Sequence, residues 1–357
     1  MQSEPTARAS IDGGSFNAPS RSQRGAMRAT RGLVRLLAVG IVLSFLTGRV
    51  APPAIESLAS PWTAQLWAMT MLVLAVAWIL RDRASVVALG VVALWSSVLV
   101  LPAIIPHGAH RDPPTLTVAS ANVLVANQPD AAALDWIRSL DVDVLGIVEC
   151  NAAWLAAAES ARDDGRPRWP YAIAEADDTT PGGVALLSRY PIRDALVERP
   201  PDGVFRMASA IIDHPEGAIR VFVVHPVPPV RPRWTTARNA ELRWLADRVV
   251  AERERATALP TVILGDLNET PFGKAYASFL LATGVRSART VAGFAPTWPT
   301  RLDGQAVPWF LRIPIDHCLV SPELAPVRFA VGPDIGSDHL PVIAQLRLLS
   351  IPRPGAE

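Results

Sequence analysis

The sequence predicts an α+β domain carried by three membrane-crossing helices, and two observations make that prediction. Nearly all of the apolar excess lies before His107, in three runs separated by charged or proline-containing loops. Beyond it the texture changes to short β-branched runs alternating with amphipathic helical segments, over a length that suits one domain. The 50% hydrophobic content and mean hydropathy of +0.24 of this 357-residue chain therefore average two unlike parts.

Residues 1–32 are rich in Ser, Gly, Ala and Arg with almost no apolar periodicity, and predict a disordered basic tail. The membrane region follows at 33–105. Its first apolar run, about 33–49, is marginal in length, and a cleaved signal peptide is the competing reading. Two further apolar segments and the lack of a small-residue cleavage site favour a retained helix. The second run, 64–80, is uncharged. The third, 84–105, is an uncharged stretch of about the length needed to cross the ~30 Å hydrocarbon layer. Trp62 and Trp78 fall near run ends, where amphipathic rings anchor at the interface.

Arg21, Arg24, Arg28, Arg31 and Arg35 precede or open the first run, and Arg81 and Arg83 separate the second from the third. The loop between the first two runs carries only Arg49, offset by Glu56. The positive-inside rule then puts the N-terminus and the 81–83 loop in the cytoplasm and everything after Ile105 outside. Without insertion of the first run, the sidedness would reverse. The expected location is the cytoplasmic membrane, multi-pass, with the following domain extracytoplasmic.

A Pro-rich linker, 106–114, leads into a domain expected at 115–349, with 350–357 as a tail. Strand-like runs are Leu116–Ala119, Val142–Val148, Val184–Leu187, Ile219–Val224, Thr261–Leu264, Ile315–Val320 and Leu340–Leu346. Ala131–Leu140 and Thr235–Arg255 read as amphipathic helices. There is no internal repeat. A net charge of +1 gives no global pull toward a polyanion. Two cysteines, Cys150 and Cys318, exclude a disulfide framework and a Cys-rich zinc site, and are expected as buried free thiols.

Polar residues gather at the ends of these strands. Asn122 closes the first, Glu149 follows Val144–Val148, His225 ends Val221–Val224, and Gly265-Asp266-Leu267-Asn268 ends Thr261–Leu264. Asp316-His317 opens a strand, and Ser337-Asp338-His339 precedes the last one. Singly, each is more often a cap or turn residue. Six such sites at the mouths of hydrophobic strands are hard to explain as turns. Asp266 and Asn268, two apart, project to one side of an extended segment. Gly265 would let a phosphate approach the backbone. Phosphoryl transfer asks a protein for positioning and for positive charge on the non-bridging oxygens.

From about Thr115 to Leu348 the string resembles the endonuclease/exonuclease/phosphatase superfamily, most specifically in Gly265–Asn268, Ile315–His317 and Ser337–His339 with Glu149 in order before them. The resemblance implies a four-layer α/β/β/α sandwich of the DNase I-like kind, preceded here by the three transmembrane helices. It implies a hydrolase of phosphate esters or anhydrides dependent on Mg²⁺, with Mn²⁺ as the alternative. Asn122, Glu149 and Asp338 would be the metal ligands, and an oxygen set without Cys or His-rich spacing argues against zinc. Asp266 would orient or deprotonate the attacking water, and Asn268 would hold it. His339 would contact the scissile phosphate with Asp316 fixing its tautomer, and His225 would be a second donor. Whether Asp266 or His339 takes the proton stays open. His317 should face away from the site. Arg189, Arg206 and Arg238 are expected as ordinary salt bridges.

The chain departs from the DNA-cutting relatives in its loops. Pro226–Trp234 is stiff and only modestly basic, and Thr297-Trp298-Pro299 and Val307–Leu311 form an apolar cluster before Asp316. Core packing explains such a cluster as well as an apolar substrate or a membrane surface does. With membrane helices in front, the chain looks most similar to a bacterial membrane-bound subgroup that includes the teicoplanin-resistance protein VanJ. That likeness makes a lipid-linked, extracytoplasmic phosphate the leading substrate class, with the bilayer as partner. A nuclease cutting DNA or RNA is the second reading. An inactive lipid- or partner-binding module is the third, opposed by the completeness of the residue set. Nothing calls for an obligate protein partner.

Overall fold

Helix α1 (Arg21–Val50) begins at Arg21 rather than at residue 33. Residues 21–32 carry Arg, Ala, Met and Gln, which are strong helix formers, and they extend a helix already nucleated by the apolar run. The disordered tail expected over 1–32 is thus corrected for 21–32. This computed structural model describes residues 21–349 apart from 202, 256 and 257; residues 1–20 and the expected tail 350–357 lie outside the described residues. A short helix α2 (Pro53–Ala59), opened by Pro53, and a tight turn at Ser60–Trp62 lead into α3 (Thr63–Ile79). Helix α4 (Arg83–Ile104) rises about 33 Å.

Three helical stretches, Arg21–Gly48, Pro53–Ile79 and Arg83–Ile104, are long and apolar enough to cross a membrane. They pack on Val34, Ala38, Ile41, Val73, Ala77 and Leu89, while Leu36, Leu43, Leu72, Val91 and Leu94 face outward. At one end of the bundle Arg35 pairs with Asp82 at 2.8 Å and Arg31 donates to the Leu80 carbonyl at 2.8 Å. Segment α2 lies at the other end, where α1 runs into α3.

The domain after residue 114 is built on two sheets. In chain order its elements are β1 (Leu116–Asn122), α5 (Ala131–Ser139), β2 (Val144–Val148), α6 (Ala152–Ser160), β3 (Arg162–Asp163), β4 (Arg166–Pro167), β5 (Tyr171–Glu175) and β6 (Val184–Ser188). Then come β7 (Ile192–Glu198), β8 (Met207–His214), β9 (Gly217–Val224), α7 (Pro232–Arg253), β10 (Thr261–Asp266) and α8 (Lys274–Thr283). The last are β11 (Arg286–Ser287), β12 (Arg301–Leu302), β13 (Gln305–Ala306), β14 (Asp316–Val320), β15 (Leu324–Val331) and β16 (Val342–Leu348). One sheet has the order β15-β16-β1-β2-β6-β5, the other β11-β14-β10-β9-β8-β7. Within them only β1–β2 and β9–β10 pair parallel.

Alternation along the strands sends one set of side chains between the sheets and the other beneath helices. Val118, Val144, Leu186, Val221, Val262 and Ala344 fill the middle layer. Leu145 and Ile147 meet Trp136 and Trp154 of α5 and α6, and Phe222 and Ile263 meet Leu245 and Phe279 of α7 and α8. The result is the four-layer α/β/β/α sandwich. Cys150 and Cys318 are free and buried, in separate layers.

The linker is pinned rather than loose. His107 N–H donates to Thr290 O at 2.9 Å, His110 N–H to Pro326 O at 2.8 Å, and Arg289 Nη1 reaches the Ala103 carbonyl at the end of α4 at 2.8 Å.

Candidate active site

Five strands of the two sheets deliver polar side chains to one edge of the sandwich. Parallel pairing sets Asn122, the last residue of β1, opposite Val148, so Glu149 emerges beside it. In the other sheet Asp266 and Asp316 are register partners across β10 and β14, and His225 directly follows β9. The Ser337–His339 turn is clamped onto β1 because Ser337 Oγ donates to the Asn122 carbonyl at 2.8 Å and accepts the His339 N–H at 3.1 Å.

Gly265 has a φ of +140°, and a Cβ there would lie 1.9 Å from the Val224 carbonyl oxygen. The neighbouring strand β9, not an approaching phosphate, is what demands glycine at this position. Glu149 (φ +53°) and Asn268 (φ +49°) are held in the left-handed region that most side chains avoid, the kind of strain that clusters at functional sites.

The structure brings all eight expected residues together. Asn122 Nδ2 lies 3.0 Å from Glu149 Oε1, 3.3 Å from Asp266 Oδ2 and 3.4 Å from His339 Nε2. His339 Nδ1 is hydrogen-bonded to Asp316 Oδ2 at 2.9 Å, and its Nε2 faces Asp266 Oδ2 at 3.6 Å. His225 Nε2 stands 3.7 Å from Asp266 and 3.9 Å from Glu149. Asn268 N–H donates to Asp266 Oδ1 at 2.7 Å, while its side-chain amide donates to Pro226 O at 2.9 Å. Asn122, expected as an oxygen ligand, instead turns N–H toward the cluster, because its Oδ1 accepts from Leu124 N at 3.1 Å. It orients Glu149, whose second oxygen accepts from Val125 N at 3.1 Å.

These groups are buried, and burial sets their charge. It pushes the Asp266 carboxyl well above the ordinary carboxylate range, with His339 opposing and Asp316 adding to the rise. For His339 burial works against the charge, yet Asp316 and Asp266 outweigh it and raise the imidazole above its usual value. His225 is lowered by burial, with Glu149 opposing. Its Nδ1 lies 3.3 Å from the Pro181 carbonyl, which can only accept; in the neutral ring Nε2 then carries the lone pair. The donor role expected of His225 therefore requires its charged form.

The donor set suits a hard divalent cation. Asp338 Oδ1 is a buried oxygen without a hydrogen-bond partner, and Glu149 stands in the same cavity. Asp266, Asp316 and His339 form a second grouping whose ligand atoms lie within 4.8 Å of one another. Two of its members are already joined by the His339–Asp316 hydrogen bond, so the oxygen pair is the better seat.

Several side chains at the site escaped the sequence reading. Trp298 Nε1 donates to Asp338 Oδ2 at 3.0 Å, and Phe205 stacks on His225 with centroids 4.9 Å apart. Arg238, expected as a solvated salt bridge, is fully buried, pairs with Glu269 at 2.9 Å and donates to Asn268 O at 2.7 Å. The Trp-Pro motif points to the first, and Arg238 stands out in the sequence only as one of three arginines expected to make salt bridges. Arg189 and Arg206 do make salt bridges, to Asp141 and Asp143 and to Glu175 and Asp177. His317 faces away, 2.9 Å from Glu269 O and against Tyr276.

The sequence profile of the Endonuclease/Exonuclease/phosphatase family matches residues 119–339. Among solved structures, an endonuclease/exonuclease/phosphatase from Beutenbergia cavernae DSM 12333 is similar at 21% identity and a TM-score of 0.53, over 66% of this chain and 72% of that one. A family protein from Bacteroides thetaiotaomicron is similar at 18% identity and a TM-score of 0.50, over 70% of this chain and 100% of the other. D. rerio TDP2, solved with a single-strand DNA product, has 16% identity and a TM-score of 0.52, over 65% of this chain and 98% of its own. At these identities the likeness is one of fold. No curated protein matches the chain.

Proposed function

Because the chain belongs to the endonuclease/exonuclease/phosphatase family, whose members hydrolyse phosphoesters, we propose that it is a membrane-anchored, divalent-metal-dependent phosphohydrolase acting on a lipid-linked phosphate outside the cytoplasmic membrane. The observation that carries this reading is the composition of one cavity of about 440 Å³. Glu149, His225, Asp266, Asn268, Asp338 and His339 occupy its floor, while its rim is apolar and includes Phe205, Pro228, Pro229, Val230 and Trp298. A rim of this kind suits an apolar substrate part better than the polyanionic backbone of DNA, which calls for Lys and Arg. Membrane helices before the domain, with Trp298-Pro299 in the late loop, support a place near the membrane-bound subgroup that includes VanJ.

Glu149 and Asp338 would hold Mg²⁺ or Mn²⁺, with Asn122 and Trp298 orienting them; the ion supplies positive charge against the phosphoryl oxygens. The protein does the rest by placing protons. Asp266, its basicity raised by burial and its Oδ1 held by Asn268, takes the proton of the attacking water. His339, kept cationic by Asp316, donates from Nε2 to the phosphoryl group. His225 adds a second donor when a dianionic phosphate favours its charged form.

Sidedness rests on the bundle. Arg31 and Arg35 mark the end opposite to the catalytic domain, which supports a cytoplasmic N-terminus and three crossings. The full-length protein in detergent, assayed for phosphate release from polyprenyl pyrophosphates, phosphatidic acid, nucleotides and plasmid DNA, tests the reading. Activity on lipid phosphates that is lost both in EDTA and in Asp266→Ala supports it. Salt-sensitive DNA cleavage without lipid phosphate hydrolysis would transfer the assignment to a nuclease.

A further inference from the structure

The catalytic cavity is not made by the catalytic domain alone. Ser57, Leu58, Pro61 and Trp62, from α2 and the turn that leads into α3, line it together with Asp266 and His339. That part of the lining is fastened to the chemistry. The buried Arg238 guanidinium donates to Ser57 Oγ at 2.9 Å through Nη2 and to the Asn268 carbonyl at 2.7 Å through Nη1. Glu56 Oε1 accepts the Lys274 backbone N–H at the start of α8 at 3.1 Å. One arginine thus joins the membrane loop to the loop that holds Asp266 in place.

A second contact fixes the start of α3 against the catalytic domain. Gln65, in the first turns of α3, donates through Nε2 to the carbonyls of Arg312 at 3.0 Å and Phe310 at 3.4 Å. The tip Trp309-Phe310-Leu311, with the three residues 64%, 54% and 44% exposed, is therefore held beside the first turn of α3. Large apolar side chains exposed there, with Leu58 and Trp62 also exposed, suit a lipid interface.

We propose that the Ser57–Trp62 segment is the specificity element of the enzyme: it receives the first part of the apolar chain of a phosphorylated lipid that enters from the bilayer, while the phosphate reaches the polar floor. The proposal rests on the phosphohydrolase reading above. The occupant follows from the two chemistries that meet in one cavity. Its buried polar groups suit phosphate, and the Ser57–Trp62 part of its lining lies between α1 and α3, helices from stretches long and apolar enough to cross a membrane. A chain already in the bilayer reaches this lining without leaving apolar surroundings, whereas a soluble phosphate has nothing there to bind.

The test uses the full-length protein in lipid nanodiscs with paired substrates that share a headgroup: farnesyl against isopentenyl pyrophosphate, and dioleoyl phosphatidic acid against glycerol 3-phosphate. The two pairs separate an isoprenoid from an acyl source. Leu58→Ser and Trp62→Ala, both at partly exposed positions, are expected to lower the long-chain over short-chain ratio of kcat/KM about tenfold, with the loss in the KM of the long-chain member. Leu281→Ser, on the exposed face of α8, serves as the control and keeps the wild-type ratio. Variants that keep the wild-type ratio, when the wild type prefers the long chain, overturn the proposal and leave the phosphohydrolase reading standing. A wild type that cleaves DNA but neither long-chain phosphate overturns both.

Discussion

Replacing Arg238 with methionine removes the cation that joins Glu269, the Asn268 carbonyl and Ser57. Two unit charges 2.9 Å apart attract by roughly 6 kcal/mol at an effective dielectric of 20, before the desolvation of both is counted. Breaking a buried pair from one side typically costs about 3–5 kcal/mol, because the remaining charge is left without compensation. The penalty should depend on pH in a definite direction. Burial, opposed by Arg238, already raises Glu269 from 4.5 to about 7. A carboxyl raised on folding contributes its stability below the unfolded value and loses it as pH climbs through the folded one. Without Arg238 the folded value rises further, so the cost of Arg238→Met is larger at pH 8 than at pH 6. Urea unfolding of the full-length protein in detergent, followed by tryptophan fluorescence at both pH values, measures it. Adding Glu269→Gln removes the stranded charge and should recover about half of the loss. A cost below about 1 kcal/mol, or one that is the same at both pH values, would refute the account of this buried bridge.

Four further outcomes are expected. Asp316→Asn leaves the fold intact and lowers kcat about 10²–10⁴-fold with little change in KM, because His339 loses the carboxylate that holds its proton; equal kcat would remove His339 from the mechanism. Asp338→Asn weakens activation by Mg²⁺ or Mn²⁺ roughly 10–100-fold in the metal concentration required, and an unchanged titration curve would move the ion elsewhere. Gly265→Ala forces a methyl into the Val224 carbonyl and should cost at least about 3 kcal/mol, so a melting temperature within two degrees of wild type, on the order of the measurement error, contradicts the packing of β9 on β10. His317 is lowered to about 4 by burial, so below 6.5 the unfolded chain takes up a proton that the folded one refuses. From pH 7 to 5 the wild type should therefore lose about 2 kcal/mol more than His317→Gln, a comparison that cancels the opposite trend of Glu269; parallel curves would show that His317 is not held neutral.

The parts of the fold that were legible are those whose burial writes a period into the sequence. Strands β1, β2, β6, β9, β10, β14 and β16 are central or flanked on both sides, and their Val and Ile runs announced them. Strands β5 and β7 close the edges, are largely exposed and carry no such run. Strand β15 contains Pro326, which argues against a strand, and it survives beside a register shift at an edge. Helix α6, Ala152–Ser160, is too rich in alanine to show a face. The eight polar residues were legible because each stands at or beside one end of a readable strand. Asn122 shows the limit of that reading: its identity and location were clear, but which amide atom faces the cluster depends on the Leu124 N–H, a detail of loop backbone.

The contact between α2 and the catalytic domain is not legible in the sequence for a similar cause. Ser57 and Arg238 are 181 residues apart, and neither carries a local pattern that names the other. Arg238 on a helix surface reads as a solvated charge until the fold brings α2 over it and removes all of its exposure. Among the described residues four fastenings then hold the domain to the bundle: Arg238 to Ser57, Glu56 to the Lys274 N–H, Gln65 to the 310–312 turn, and Arg289 to the end of α4. Had the helices served only as a tether, a loose linker would have been enough and the buried arginine would have no reason to be there. A domain cut free near residue 111 would keep all eight polar residues but lose one wall of their cavity and the partner of the arginine that steadies Asn268. Its chemistry toward small phosphates and its choice among larger ones should therefore part company, a separation that a mere tether would not produce.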